Sequence, residues 1–263
     1  MCKNHETQDW LARADEVCIR LTENLQVRCT AARTFDYEPD LLPFWCDSLK
    51  EALLYRSTEL AGTAIDLYRR NFLVSAVIIT RSLLETAALF NRLYETCSKV
   101  VKKHEKGKCS DDIIKELLRK VQKISVASTE TRDNATRSNI KPFGAPALVK
   151  DLDTRHNARG SIISTYEGLC QMVHPNFKGC LDAFTNWNAE KKYVEFIQDY
   201  RHVQEDAHSY IMFLFLVLDI VENLEGEMAE LLPKFAKACE EYIERQHGKG
   251  DKKYKGQTRD SHL

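Results

Sequence analysis

The stretch Phe72–Leu93, FLVSAVIITRSLLETAALFNRL, decides the fold. It is apolar almost all the way round a helix, and its middle carries only two charged residues, Arg81 and Glu85. A helix that is apolar on every side is typical of a core element. We therefore predict that this helix is the central wall of a helical bundle.

The composition fits an all-α protein. The chain has 263 residues, of which 43% are hydrophobic, and it contains only 10 Gly and 6 Pro. So few turn-forming residues disfavour a fold made of many short strands. The net charge is −1, so the overall charge does not indicate a nucleic-acid or membrane partner.

Helical periodicity recurs along most of the chain. We predict a bundle of about six to eight helices, with a possible short β-hairpin insertion near 179–197, where Asn186-Trp187-Asn188 separates two alternating runs. The predicted helices cover 6–33, 44–68, 72–103, 111–124, 148–157, 160–173, 199–224 and 227–245. Arg69-Arg70-Asn71 is predicted to be a turn.

We predict one helical domain over 1–246, with its core at 44–225 and a long polar loop at 125–146. The last segment, 247–263, is basic and contains glycine, and such a composition predicts a disordered tail.

Two apolar stretches resemble membrane-spanning helices in composition but differ from them in charge or in length. Phe72–Phe90 carries two charges near its middle, and Tyr210–Leu218 is too short to span before Asp219. The nine cysteines are widely spaced without a C-x-x-C pair, as in reduced intracellular proteins. We therefore expect a cytoplasmic protein with no membrane partner.

Arg81 and Glu85 lie one turn apart, so they share a helix face. A structural ion pair that fixes helix register and a polar pocket wall are both open interpretations. Tyr166 and His174 are eight residues apart on a second helix, and His174 ends that helix because Pro175 follows it. His174 either binds an anion or donates a proton there, or it only hydrogen-bonds a loop carbonyl.

A third polar group, Arg201, Glu205 and His208, falls on one face of a later helix. Arg201 and His208 fit the R-x4–6-H signature of the HEPN ribonucleases, although the chain offers about one such match by chance. Solvated salt bridges in a first helical turn are the other interpretation. A two-metal carboxylate site would need two Glu-x-x-His pairs, and the second candidate, Glu244-x-x-His247, lies near the chain end. We therefore predict no metal and no cofactor.

Two motifs together resemble a bacterial all-α family of unknown function that is itself distantly similar to the HEPN group. They are RSLLE at Arg81–Glu85 and YEGLCQMVHPN at Tyr166–Asn176. The resemblance covers about residues 45–225, and it implies that Arg81, Glu85, Tyr166, His174 and Asn176 converge in one pocket. It also implies a homodimer, because HEPN-like nucleases usually pair two protomers across the site.

The leading functional hypothesis is an HEPN-like protein that binds or cleaves RNA in bacterial stress or phage defence. Its catalytic candidates are Arg201, His208, Glu205 and His174, and its ligand-binding candidates are Arg81, Glu85, Tyr166 and Asn176. The alternative is a non-enzymatic helical interaction protein, or a sensor of small anions, in which the charged residues of the core are structural.

Overall fold

The computed structural model describes residues 2–26, 41–108, 110, 112–117, 120, 143–173, 185–188, 190, 192–196 and 204–255. Within these ranges the chain is helical apart from its connections and one short hairpin, which confirms the predicted all-α class. Seven helical segments lie in the described part: α1 (Cys2–Glu23), α2 (Leu42–Arg69), α3 (Leu73–Glu105), α4 (112–117), α5 (Ala145–Arg155), α6 (Ser161–Val173) and α7 (Gln204–Lys255).

The predicted turn between the second and third helices is confirmed. Asn71 has a positive φ of 59°, and the Phe72 amide donates to the Leu67 carbonyl over 2.9 Å. Asparagine tolerates the left-handed conformation better than most residues, and this backbone hydrogen bond closes the helix end. The chain therefore reverses direction within a few residues between α2 and α3.

The prediction of two helices over 199–224 and 227–245 is wrong, because α7 is one helix of 52 residues from Gln204. Glu225 and Gly226 separate the two predicted helices, but glycine in a helix interior costs only about 1 kcal/mol, and α7 continues through both residues. Pro233 also lies inside α7. The helix continues through 247–255, which we predicted to be disordered, and 256–263 lie outside the described residues.

A hairpin is present where one was predicted, but its turn is not at Asn186-Trp187-Asn188, because these residues belong to the first strand. The connection lies between Asn188 and Tyr193, where Lys192 has a positive φ of 53°. Strand β1 (Thr185–Asn188) pairs antiparallel with β2 (Tyr193–Phe196), and Trp187 lies opposite Val194. Most of the predicted loop, 125–142, lies outside the described residues. The predicted loop ends too late, because α5 already begins at Ala145. Pro146 lies in the first turn of this helix, where proline needs no backbone N–H.

The described chain divides into two compact units. Unit 1 consists of Met1–Gln26, Glu51–Arg92 and Phe143–Glu225, and unit 2 consists of Val27–Lys50, Leu93–Pro142 and Gly226–Leu263. The single domain predicted over 1–246 stays a prediction.

Unit 1 contains α1, α5 and α6 together with parts of α2, α3 and α7. The ion pair of Asp15 with Arg69 spans 2.7 Å and ties α1 to the end of α2. Arg20 binds Glu222 of α7 over 2.6 Å. The unit's core is made of fully buried apolar side chains, among them Leu21, Leu54, Ile65, Leu83, Leu84, Phe90 and Leu152.

Unit 2 has its own apolar core, to which α2, α3, α4 and α7 each contribute. Its fully buried members include Leu42, Leu93, Ile114, Leu117 and Phe235. The thiols of Cys46, Cys97 and Cys239 are buried in this core, and a hydrogen bond with Cys97 together with burial raises the pKa of Cys46. Neutral, buried thiols pack as small hydrophobic groups.

Two helices are long and apolar enough to cross a membrane by length and composition alone, α3 and the Ala207–Arg245 part of α7. In the most apolar window of each, 56% and 44% of the residues are buried inside the structure. Core helices of soluble proteins pass the same test, so the expected absence of a membrane partner stays a prediction.

Candidate functional site

The central helix is less enclosed than its sequence predicts. Val77, Leu84 and Ala88 are fully buried, but Ile78 keeps 37% of its surface exposed. The two charged residues in the middle of the helix lie on this exposed side. The side chains of Arg81 and Glu85 are 26% and 31% exposed. The pair therefore lies in a partly open stripe of α3 and not in the core.

Arg81, Glu85 and Tyr166 form one hydrogen-bonded cluster within unit 1. The Arg81 Nε and Nη2 groups both lie 3.0 Å from Glu85 Oε1. The Tyr166 hydroxyl donates to the same carboxylate oxygen over 3.0 Å. The Arg81 guanidinium also lies over the Tyr166 ring, 5.6 Å from its centroid. The predicted convergence of these three residues is thus present in the structure.

Burial and the acceptor carboxylate keep the phenol protonated. Loss of solvent, together with the hydrogen bond to Glu85, raises the pKa of Tyr166 to about 12. Burial works against the charged form of Arg81, but hydrogen bonding to Tyr166 and the charge of Glu85 outweigh it and raise the arginine pKa. At neutral pH the cluster is therefore a guanidinium, a carboxylate and a neutral phenol donor.

This arrangement fixes the direction of the guanidinium. The Glu85 carboxylate holds Arg81 by two of its nitrogens, and the Tyr166 ring lies against one face of the guanidinium. The Arg81 side chain remains 26% exposed. An arginine oriented in this way can bind a carboxylate or phosphate with little further ordering. A part-exposed ion pair contributes only about 0–1 kcal/mol to stability, so stability alone is a weak reason for the pair.

Asp153 places the helix that carries Tyr166. Its carboxylate accepts from the Gly160 amide over 2.8 Å and from the Ile162 amide over 3.0 Å, and the residue is only 6% exposed. An acidic side chain that binds the free amides of a helix N-terminus stabilises that helix. The sequence interpretation missed Asp153, because it lies on the preceding helix and reaches α6 only through the turn at 156–160.

A second polar contact joins α3 to α5, and sequence interpretation missed it too. Arg92 forms an ion pair with Asp151 and lies over the Phe143 ring, and Arg155 donates to the side-chain oxygen of Asn91 over 2.8 Å. The position of Arg92 was the available signal, since it follows Glu85 by seven residues, about two turns of α3.

The R-x6-H group is only partly described. His208 is half-buried in α7, and its Nδ1 lies 3.2 Å from the Thr7 hydroxyl of α1. Glu205 lies in the first turn of α7, but its side chain is outside the described part, as are Arg201, His174 and Asn176. The structure therefore places three of the eight predicted site residues together and positions His208 separately, against α1.

Among the described residues, no group of three or more His, Cys, Asp and Glu side chains could hold a metal ion.

Comparison with protein-family models, with curated proteins and with solved structures finds no match. The fold therefore defines the class, an all-α protein, and function rests on the chemistry of the site.

Proposed function

We propose that this chain is an HEPN-like protein that binds RNA and cleaves it without a metal ion. The observation that carries the proposal is the placement of His208. A contact to Thr7 occupies its Nδ1, so the ring is oriented, and within the described residues Nε2 is left for proton transfer. A half-buried, oriented histidine suits acid–base catalysis better than a freely rotating one on the surface.

The proposed reaction is an internal transfer at the phosphate. The ribose 2′ oxygen attacks phosphorus, its proton passes to a base, and the bond to the 5′ oxygen breaks as that oxygen takes a proton from an acid. His208 and His174 are the candidates for base and acid. Arg201 stabilises the charge on the phosphate, and Glu205 orients the neighbouring groups.

The Arg81 cluster supplies ligand contacts in this scheme. Its fixed guanidinium suits an RNA phosphate, and Glu85 with Tyr166 holds it in place. Asn176, which follows α6 in the sequence, is the fourth proposed ligand-binding residue.

An RNA-cleavage assay in the presence of a chelator tests the proposal. We expect the unaltered chain to cleave RNA, and we expect Arg201→Ala, His208→Ala and His174→Ala each to lower the rate by about 100-fold or more. Arg13→Ala and His156→Ala are matched controls, because both side chains are described, lie in unit 1 and are exposed. No cleavage by the unaltered chain, or equal losses in the controls, would refute the nuclease.

A small-anion sensor is the second candidate, and the oriented, partly exposed guanidinium of Arg81 favours it. Calorimetric titration with inorganic phosphate and with acetate tests this function. Saturable binding that Arg81→Gln abolishes and Arg69→Gln preserves, in a chain that does not cleave RNA, would select the sensor. Arg69 is a suitable control because it also pairs with a carboxylate, that of Asp15.

We further propose a cytoplasmic homodimer that acts in bacterial stress or phage defence, as the family resemblance implies. Light scattering of the purified chain measures its mass against the 30.3 kDa of one protomer. Fractionation of cells tests the location, since recovery with the membranes would contradict it.

A further inference from the structure

Charge is divided unequally between the two units. Unit 1 contains 15 Lys and Arg against 21 Asp and Glu, a net charge of −6, and unit 2 contains 23 against 18, a net charge of +5. The overall charge of −1 therefore hides a basic unit and an acidic unit. The polar cluster of Arg81 lies in the acidic unit.

The excess of positive charge in unit 2 is concentrated where α3 ends and α4 follows. Five exposed lysines lie within ten residues of the chain, and Lys115 adds a sixth on α4. We name this set the basic surface: Lys99, Lys102, Lys103, Lys106, Lys108 and Lys115. Lysines in the last turn of α3 are also favoured by the helix dipole.

Lysines at the end of α3 act on a carboxylate of α4. Glu116 of α4 pairs with Lys120 one turn later, and the charges of Lys103 and Lys99 also act on its carboxylate and lower its pKa. The ammonium groups of α3 are thus close enough to act on α4, while the ion pair of Glu116 is formed with Lys120. The surrounding potential remains positive after that pairing.

We propose that this basic surface binds the phosphate backbone of single-stranded nucleic acid. Lysine suits that role, because its flexible point charge contacts phosphates without a demand for base sequence. Lys99 and Lys103 lie one turn apart on one side of α3, about 6 Å along its axis, since a helix rises 1.5 Å per residue. Lys106 follows in the turn directly after the helix. Such a row can follow a strand past more than one phosphate.

The inference rests on the proposed function and assigns its two tasks to different units. Unit 2 holds the backbone electrostatically, and unit 1 carries the polar groups proposed for chemistry. Binding and cleavage are then separable by mutation.

Fluorescence anisotropy with a labelled single-stranded DNA of the same length as the RNA tests the surface. DNA lacks the 2′ hydroxyl, so binding is measured even if the chain cleaves nothing. Titrations between about 50 and about 200 mM salt give the slope of log K against log salt. We expect the Lys99→Gln, Lys103→Gln double variant to reduce that slope by about 1.4, because each phosphate contact contributes about 0.7 on a single strand.

Two further variants separate a site from general charge. Glu116→Gln should strengthen binding and steepen the slope, because it removes a negative charge beside the basic surface and frees Lys120 from its ion pair. Lys234→Gln with Lys237→Gln removes the same charge from exposed positions of α7 in the same unit and should leave the slope unchanged.

The outcomes are distinct. Loss in the first double variant alone, with a gain in Glu116→Gln, supports the basic surface whether or not RNA is cleaved. Equal losses in both double variants would overturn it, as would no DNA binding at low salt. Lysine-dependent binding to phosphatidylserine vesicles in place of DNA would also overturn it, since the surface would then fit a lipid.

Discussion

Replacement of Asp153 is the sharpest test of how the structure positions Tyr166. Its carboxylate accepts two backbone N–H groups at the start of α6, those of Gly160 and Ile162. Asp153→Ala leaves both donors without this acceptor. A buried donor that loses its partner costs about 1–3 kcal/mol, and Ile162 is only 1% exposed, whereas water can reach the half-buried Gly160.

We therefore expect Asp153→Ala to lower the free energy of unfolding by about 2–4 kcal/mol. Asp153→Asn keeps one acceptor oxygen but brings an amide group toward the second donor, so its loss should be about half as large. Urea denaturation followed by far-ultraviolet circular dichroism measures both. A second probe, tyrosine fluorescence, checks that the transition is two-state.

Asp151→Ala is the matched control, two residues away on the same helix. Its carboxylate pairs with Arg92 but is 38% exposed, and such pairs contribute about 0–1 kcal/mol. If Asp153→Ala costs no more than Asp151→Ala, the capping role of Asp153 is refuted. If it destabilises the chain without moving Tyr166 relative to Glu85, the link from cap to site is refuted.

Three further predictions concern the site and α7. The pKa of Tyr166 is raised from 10.0 to about 12; its neutral form is therefore favoured in the folded state, and its contribution to stability, complete below pH 10, falls as the pH rises toward about 12. Tyr166→Phe should flatten that fall, which denaturation at several pH values measures. Thr7→Val should lower any His208-dependent RNA cleavage several-fold at unchanged fold, since it removes the contact that orients the ring; an unchanged rate contradicts the proposed role. Gly226→Ala should raise the free energy of unfolding by about 0.5–1 kcal/mol, because glycine weakens a helix interior and an added Cβ meets no atom within 4 Å; a loss of stability would show that α7 bends there.

The candidate site shows what the sequence could and could not predict about convergence. The i, i+4 spacing of Arg81 and Glu85 is a property of the helix itself, so their pairing followed from sequence. Tyr166 was added by resemblance, and the structure places its hydroxyl on the same carboxylate. Thr7 was not predicted as the partner of His208, because 201 residues separate them and no local pattern records that contact.

The sequence by itself determined the helical class, the turn at Asn71 and the presence of a hairpin, because periodicity and turn chemistry are local properties. It placed the hairpin turn at Asn186-Trp187-Asn188, which the structure puts in the first strand. The sequence interpretation was wrong at Gly226, where it divided α7 into two helices. The helix continues through this residue, because the packing of α7 outweighs the weak helix propensity of one glycine. Only the tertiary structure decided which side of α3 stays open, and hence that Arg81 and Glu85 are half-exposed rather than core residues. It also decided that Asp153 caps α6, because the partners of a buried polar group are set by which helices meet, and that information is distributed over the whole chain.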